Sequence, residues 1–300
     1  MRGFLLLLAC VWGFAAYAQE LPAWVSTEGL DDPHLGKVLD TASGVWLPPS
    51  MLVESLVSAP YVLVGEKHDN PDHHRLQLWL MQRLQERRPQ GALVMEMIGP
   101  AQQAAIDRLQ GELSQDGLPQ DGLTQSEAQL EKELEWSPGW DWSLYGPLVR
   151  WGLALPQRLL AANLTEDEMH AIYQAPPAPA DVFSAEMLEL LEEAIATSHC
   201  GKLAEQQFPA MLAVQQARDE RMAQQLAEAP VPALLLAGSY HVRKDLGVPL
   251  HWPAEGLQAP LVVMLVEAGG TLPDRAQADF VWLTAALPET DYCAQWEQGQ

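Results

Sequence analysis

The 300-residue chain reads as an α/β protein, a mostly parallel sheet flanked by helices and carrying a helical cap. Short runs of Val, Leu and Ile recur between longer amphipathic stretches, the pattern of a sheet covered by helices. Two runs, at 61–64 and 92–97, are joined by one such stretch, giving a β-α-β unit whose strands run parallel. Two runs, at 61–64 and 233–237, also leave on the same motif, Gly-x-x-His.

The chain opens with one Arg, an apolar run from Phe4 to Tyr17, then Ala16-Tyr17-Ala18. This is the pattern of a secretory signal peptide over residues 1–18, cut after Ala18. The run is shorter than the ~20 apolar residues that a membrane-spanning helix needs. Leu7-Leu8-Ala9-Cys10 resembles a lipobox that would anchor the protein through a lipid on Cys10. Cleavage there leaves only Phe4 to Ala9 as the hydrophobic region, below the ~7 residues usual for one, so release into the periplasm or cell envelope is favoured over anchoring.

Residues 19–300 are expected to form a single domain. Its first clear strand, 61–64, ends at Gly65. Over 71–88, Leu76, Leu78, Trp79, Leu80 and Leu84 recur at near-helical spacing, and Pro71 suits a first helical turn. The strand at 92–97 follows Pro89-Gln90-Gly91. The polar stretch 115–135 reads as containing a surface loop. A helix at 142–153 and a strand at 158–162 come next. The segment APPAPA at 175–180 cannot be helical throughout. Helices at 185–197 and 205–227 follow it, before Pro230 breaks the pattern. The stretch of about 165–230 is thus the expected cap, and strands return at 233–237, 261–266 and 280–283. Removing the signal leaves Cys200 and Cys293, expected in an oxidising compartment as one disulfide tying the C-terminal tail to the body, with two unlinked thiols as the alternative.

Forty Asp plus Glu against 17 Lys plus Arg give a formal charge of −23, which repels polyanions and argues against nucleic acid as a partner. There is no Gly-x-Ser-x-Gly elbow, phosphate loop, Gly-x-Gly-x-x-Gly or His-Glu-x-x-His, so serine hydrolase and nucleotide-dependent chemistries have no support. Eleven Trp suit either an aromatic-lined pocket or a Trp-rich core.

Gly65-Glu66-Lys67-His68 and Gly238-Ser239-Tyr240-His241 both lie at strand exits. In an open parallel sheet the carboxyl ends of the strands line one crevice, so His68 and His241 are expected to face each other. The glycine is expected to let the backbone turn sharply, so that the residue three positions on points back over the sheet edge. Glu96 ends the apolar run LVMEM, and a carboxylate there needs a cation, a metal or a donor. His68, Glu96 and His241 would make a first shell for Zn or Fe; otherwise each histidine serves a loop carbonyl. His73 and His74 open the helix at 71–88, where the dipole disfavours protonation and leaves a neutral imidazole free to act as a ligand. Arg243 and Lys244 follow the second motif and suit a ligand's carboxylates, or only offset local acidic charge.

GEKHDNPDHH after the first strand, VMEM on the second, WDWSLYGPLVRWG, AAN at 161–163 and AGSYHVRKDLGVPLHW together resemble the ChaN-like family of haem-binding, iron-regulated bacterial envelope proteins, within the Tiki/TraB/erythromycin-esterase superfamily. The resemblance runs from about Gly44 to the C-terminus. It implies an α/β fold with a site at the strand ends and an exported haem-binding protein taking part in haem or iron uptake. It also implies an outer-membrane haem receptor as partner and a homodimer with haem across its interface. Other branches imply the alternative, a metal-dependent hydrolase using Zn or another divalent metal, with His68, Glu96 and His241 as ligands or acid-base groups and Glu66 nearby. Haem in the family is held through a tyrosine, and two stand as candidates. Tyr145 sits among Trp140, Trp142, Pro147, Arg150 and Trp151, flat apolar surface and a cation that suit a porphyrin and its propionates, or else ordinary helix-to-sheet packing. Tyr240 directly precedes His241. A phenolate suits ferric iron where a neighbouring cation or histidine lowers the phenol pKa. The haem-binding set expected is therefore His68, His73, Tyr145, Arg150, Tyr240, His241 and Arg243.

Overall fold

Alternation of side chains along the strands builds two cores, one on each face of an eight-stranded sheet. The computed structural model describes residues 20–115, 125–154, 156–253, 256–291 and 293–294; the expected signal peptide with Cys10, and part of the 115–135 loop, lie outside them. In chain order the elements are β1 (Val38–Asp40), β2 (Val45–Leu47), α1 (Pro49–Leu56), β3 (Tyr61–Glu66), α2 (Pro71–Arg87), β4 (Ala92–Met95), α3 (Gln103–Gln115), α4 (Glu127–Glu133), α5 (Trp142–Ala154), β5 (Arg158–Ala161), α6 (Glu166–Gln174), α7 (Ala185–Ser198), α8 (Phe208–Glu228), β6 (Ala233–Gly238), α9 (Ser239–Val242), β7 (Leu261–Glu267) and β8 (Phe280–Thr284). Among the described residues no helix is long and apolar enough to cross a membrane.

The sheet order is β2-β1-β8-β7-β3-β6-β4-β5. Strands β3 to β8 pair in parallel, whereas β1 runs antiparallel to both β2 and β8. Strands β3, β4 and β6 are buried at every position. That is what a parallel sheet covered on both faces requires, and it is why those segments read as continuous apolar runs. Val62, Val64, Leu93, Met95, Leu234 and Leu236 face α1, α2, α3 and α5, while Tyr61, Leu63, Val94, Leu235 and Ala237 face Met222, Ala223 and Leu226 of α8. Period-two alternation therefore decides which face each side chain serves.

Several elements escaped the periodic pattern, β1, β2, α1 and α6 among them, for physical reasons. β1 and β2 are only three residues each and sit toward one edge of the sheet. α6 buries none of its residues, so it presents no apolar stripe. α1 is eight residues long, too short for a repeated stripe. Within the stretch expected to be the cap, α8 packs on the sheet itself, whereas α7 lies on α8 through Leu191 against Leu212 and Leu246.

Cys200, just past α7, is disulfide-bonded to Cys293 across 93 residues. Closing a loop of that length removes conformational freedom chiefly from the unfolded chain. Replacing both cysteines by serine should lower the unfolding free energy by about 2–4 kcal/mol, read from urea midpoints, and reduction of the wild type should match that loss.

Candidate functional site

Three neighbouring strands bring the site together. In the sheet Glu66 of β3 lies opposite Gly238 of β6, and Met95 of β4 lies opposite Leu236, so Glu66, Glu96 and the β6 exit meet at one edge. The Gly-x-x-His glycines do not turn the chain as expected. Gly65 continues β3 in register with Ala237, and Gly238 has φ −59° and ψ 150°, open to any residue. Close approach is the reason they are glycines. A Cβ on Gly65 would lie 2.2 Å from Val242 Cγ2, and one on Gly238 would lie 2.9 Å from His68 Cε1.

Two acid-histidine pairs stand at this edge. In the first, His68 Nδ1 bonds the buried carboxylate of Glu66 at 2.6 Å, and the Tyr145 hydroxyl donates to the same oxygen at 3.0 Å. The Trp140 ring meets the His68 ring edge to face at 4.9 Å. Burial opposes protonation of His68, but the hydrogen bond and charge of Glu66 outweigh it, with help from Glu96, and the pKa is raised. The His68 side chain remains 46% exposed.

The second pair is fully buried. His241 Nδ1 donates to Asp219 Oδ1 at 2.6 Å, while Nε2 lies 3.4 Å from Glu96 Oε1. The Gly238 N–H donates to Glu96 Oε2 at 2.8 Å. Burial alone would discharge this ring, but two carboxylates outweigh it and push its pKa up to about 10. Burial likewise works against ionised Glu96, and the His241 cation overrides it, taking the carboxyl down to about 2. For Asp219 burial dominates, and its pKa is raised. The arrangement is an imidazolium clamped between two acids.

Glu66, His68, Glu96, Tyr240 and His241 line one cavity of about 540 Å³, which Leu191 and Ile195 of α7 also line. Other expected residues fall elsewhere. His73 has no exposed surface, accepts the Lys67 N–H at Nδ1 (2.9 Å) and bonds Thr284 Oγ1 through Nε2 (2.9 Å). It is indeed neutral, but burial is the main cause, and with both nitrogens engaged it is no ligand. Tyr145 is buried, and burial with the Glu66 charge pushes its pKa up, the reverse of what an axial phenolate needs. Its task is to hold Glu66. Arg150 bonds Glu127 and the Gln125 carbonyl instead of facing the cavity. Arg243 is bidentate to Asp245 and stands 5.7 Å from the centre of the Tyr240 ring.

The metal set His68, Glu96 and His241 finds no support in the structure. Among the described residues no group of three His, Cys, Asp or Glu side chains is placed to hold a metal ion. His241 turns Nδ1 to Asp219 at 2.6 Å and Nε2 to Glu96 at 3.4 Å, so both ring nitrogens face carboxylates. The expected Zn site is unsupported among the described residues.

Sequence reasoning missed Asp219, although a signal existed. Asp219 shares the apolar face of α8 with Met222, Ala223 and Leu226, at i, i+3, i+4 and i+7, and an acid on such a stripe needs a buried partner.

A crevice at the carboxyl edge of a mostly parallel sheet, walled by aromatic and aliphatic side chains over buried ion pairs, defines a ligand-binding α/β protein. The chain belongs to the family described as haem-binding uptake, Tiki superfamily, ChaN, whose match covers residues 52–251. ChaN of Campylobacter jejuni, solved with cofacial haem binding, is 26% identical with a TM-score of 0.71, covering 82% of this chain and 95% of that one. An erythromycin esterase mutant in its open conformation is 14% identical with a TM-score of 0.45, covering 73% of this chain and 72% of that one. No curated protein matches the chain.

Stability should follow the clamp. His241 has a raised pKa, so its contribution is complete below about 6.5 and is lost as pH rises through about 10. Glu96 has a depressed pKa, so its contribution is complete above about 4.5 and is lost as pH falls through about 2. Urea midpoints of the wild type should fall on both limbs. His241→Phe should cost about 3–5 kcal/mol near neutral pH by leaving buried acids without a cation, and should remove the alkaline limb. A wild-type profile flat between pH 7 and pH 10 would contradict the imidazolium.

Proposed function

We propose that this protein is exported, binds haem in the cavity at the carboxyl edge of the sheet, and takes part in haem or iron uptake at the bacterial cell envelope. The observation that carries the reading is Tyr240. Alone among the described tyrosines it lines the cavity, and it is 51% exposed beside a guanidinium. Ferric iron is a hard acid and a phenolate is a suitable ligand for it. Trp140, Leu191 and Ile195 supply apolar walls for the macrocycle. The two ion pairs beneath hold the floor rigid, which keeps a binding face preorganised. Campylobacter ChaN binds haem cofacially. Carried to this chain, the same arrangement stacks two haems face to face in a homodimer, which an outer-membrane haem receptor would supply or unload.

Haemin titration followed at the Soret band tests this. The wild type should shift the band at micromolar protein, and Tyr240→Phe should weaken binding tenfold or more and alter the ferric spectrum. Tyr145→Phe should leave the spectrum unchanged while costing about 1.5–3 kcal/mol of stability through the lost hydrogen bond to Glu66. Haemin left free by the wild type would overturn the reading.

Export is supported by the apolar N-terminal run and by the Cys200–Cys293 disulfide, which suits an oxidising compartment. Intact mass of the protein purified from its native envelope should correspond to a chain starting at Gln19. A mass carrying a lipid on Cys10 would instead establish anchoring.

A further inference from the structure

Arg218 lies on α8, directly before Asp219, and lines the same cavity as His68, Glu96 and His241. One helical turn later, Arg221 reaches Glu168 Oε1 at 2.7 Å and is neutralised. Arg218 meets the neighbouring position on α6, where it finds a thioether: its Nη2 lies 3.2 Å from Met169 Sδ, a weak and uncharged acceptor. Its Nε is buried and has no hydrogen-bond partner. The acids nearest the cavity bond elsewhere, Glu96 and Asp219 to His241, and Glu66 to His68 and Tyr145, while Glu66 Oε2 and Asp219 Oδ2 are left without a partner. Among the described residues Arg218 has no carboxylate partner, although the chain carries 40 Asp and Glu against 17 Lys and Arg. Burying that Nε–H without a partner costs free energy.

We propose that Arg218 is the carboxylate-binding residue of this cavity and orients an apolar ligand that carries an acid group. A planar guanidinium takes a carboxylate through two parallel hydrogen bonds, which fixes direction as well as adding affinity. The apolar body of the ligand lies along Leu191, Ile195 and Trp140. Gln215, three residues before Arg218 on the same helix face, also lines the cavity, and its amide is 3.1 Å from His241 Nδ1. One face of α8 thus joins the acid-binding position to the buried clamp. Arg150 and Arg243, the cations that the sequence puts forward, are held by Glu127 and Asp245. Naming the acid as a porphyrin propionate rests on the haem reading above; the role of Arg218 does not.

The test uses the whole mature protein with iron-free protoporphyrin IX and its dimethyl ester, followed by quenching of tryptophan fluorescence. The wild type should prefer the diacid by tenfold or more. Arg218→Gln should lose that preference while binding the ester as the wild type does, a split that a merely structural role would not produce. Arg218→Lys, which keeps charge and loses the fork, should fall between the two and stands in if the glutamine variant does not fold. An undiminished diacid preference in Arg218→Gln, or in Arg218→Lys where it stands in, overturns the proposal. Should the wild type take neither porphyrin, the haem reading falls and anilinonaphthalene sulfonate, an apolar anion, decides Arg218 alone. Tenfold weaker binding in the variant sustains the role, and equal binding ends it.

Discussion

Taking Glu96 out of water leaves a carboxylate for which the sheet supplies one backbone donor, the Gly238 N–H. The imidazolium of His241 provides the countercharge, and Asp219 on the far side of the ring keeps it cationic. Each member alone would be costly to bury; together they join the ends of β4 and β6 to the middle of α8. Such a clamp also fixes positions. Tyr240 must leave the sheet where it does because the next side chain is pinned, and Arg218 faces the cavity because its neighbour Asp219 is turned inward.

The first acid-histidine pair is built on a different balance. Glu66 is as buried as Glu96, but its partner His68 is nearly half exposed and lies against Trp140. Both pairs border the cavity, one of them buried and the other half open to solvent. A buried set of paired charges beside an open, aromatic face suits holding a flat ligand. The histidines and glutamate of the hydrolase branches are not gathered here as a metal site: His241 lies between Glu96 and Asp219, and His68 is held through Nδ1 by Glu66.

Packing also explains where the sequence pattern was and was not legible. β3, β4, β6, β7, α2, α5 and α8 were readable because each buries a repeated apolar set against a large partner. β1, β2 and α6 were not, because short or unburied elements leave no periodic trace. In the site, Glu66, His68, Glu96 and His241 were legible as polar residues at the ends of apolar strands. Asp219 and Arg218 were hidden in a helix of mixed polarity. Tyr145 and His73 misled, because a conspicuous neighbourhood in sequence turned out to be a buried one in space.

Local chemistry therefore determined the parallel α/β frame, the two Gly-x-x-His exits and their convergence with Glu96, since the strand pattern and the placement of charge at strand ends are written residue by residue. Tertiary structure alone decided which ring nitrogens are engaged, which tyrosine reaches the cavity and that the arginine lining it has no acid among the described residues. Those properties depend on what lies opposite each side chain across the sheet edge. The partner is 22 residues away for His241 and Asp219, and 79 residues away for Tyr145 and Glu66. No local pattern specifies such a meeting, because it is fixed by packing of whole helices on the sheet.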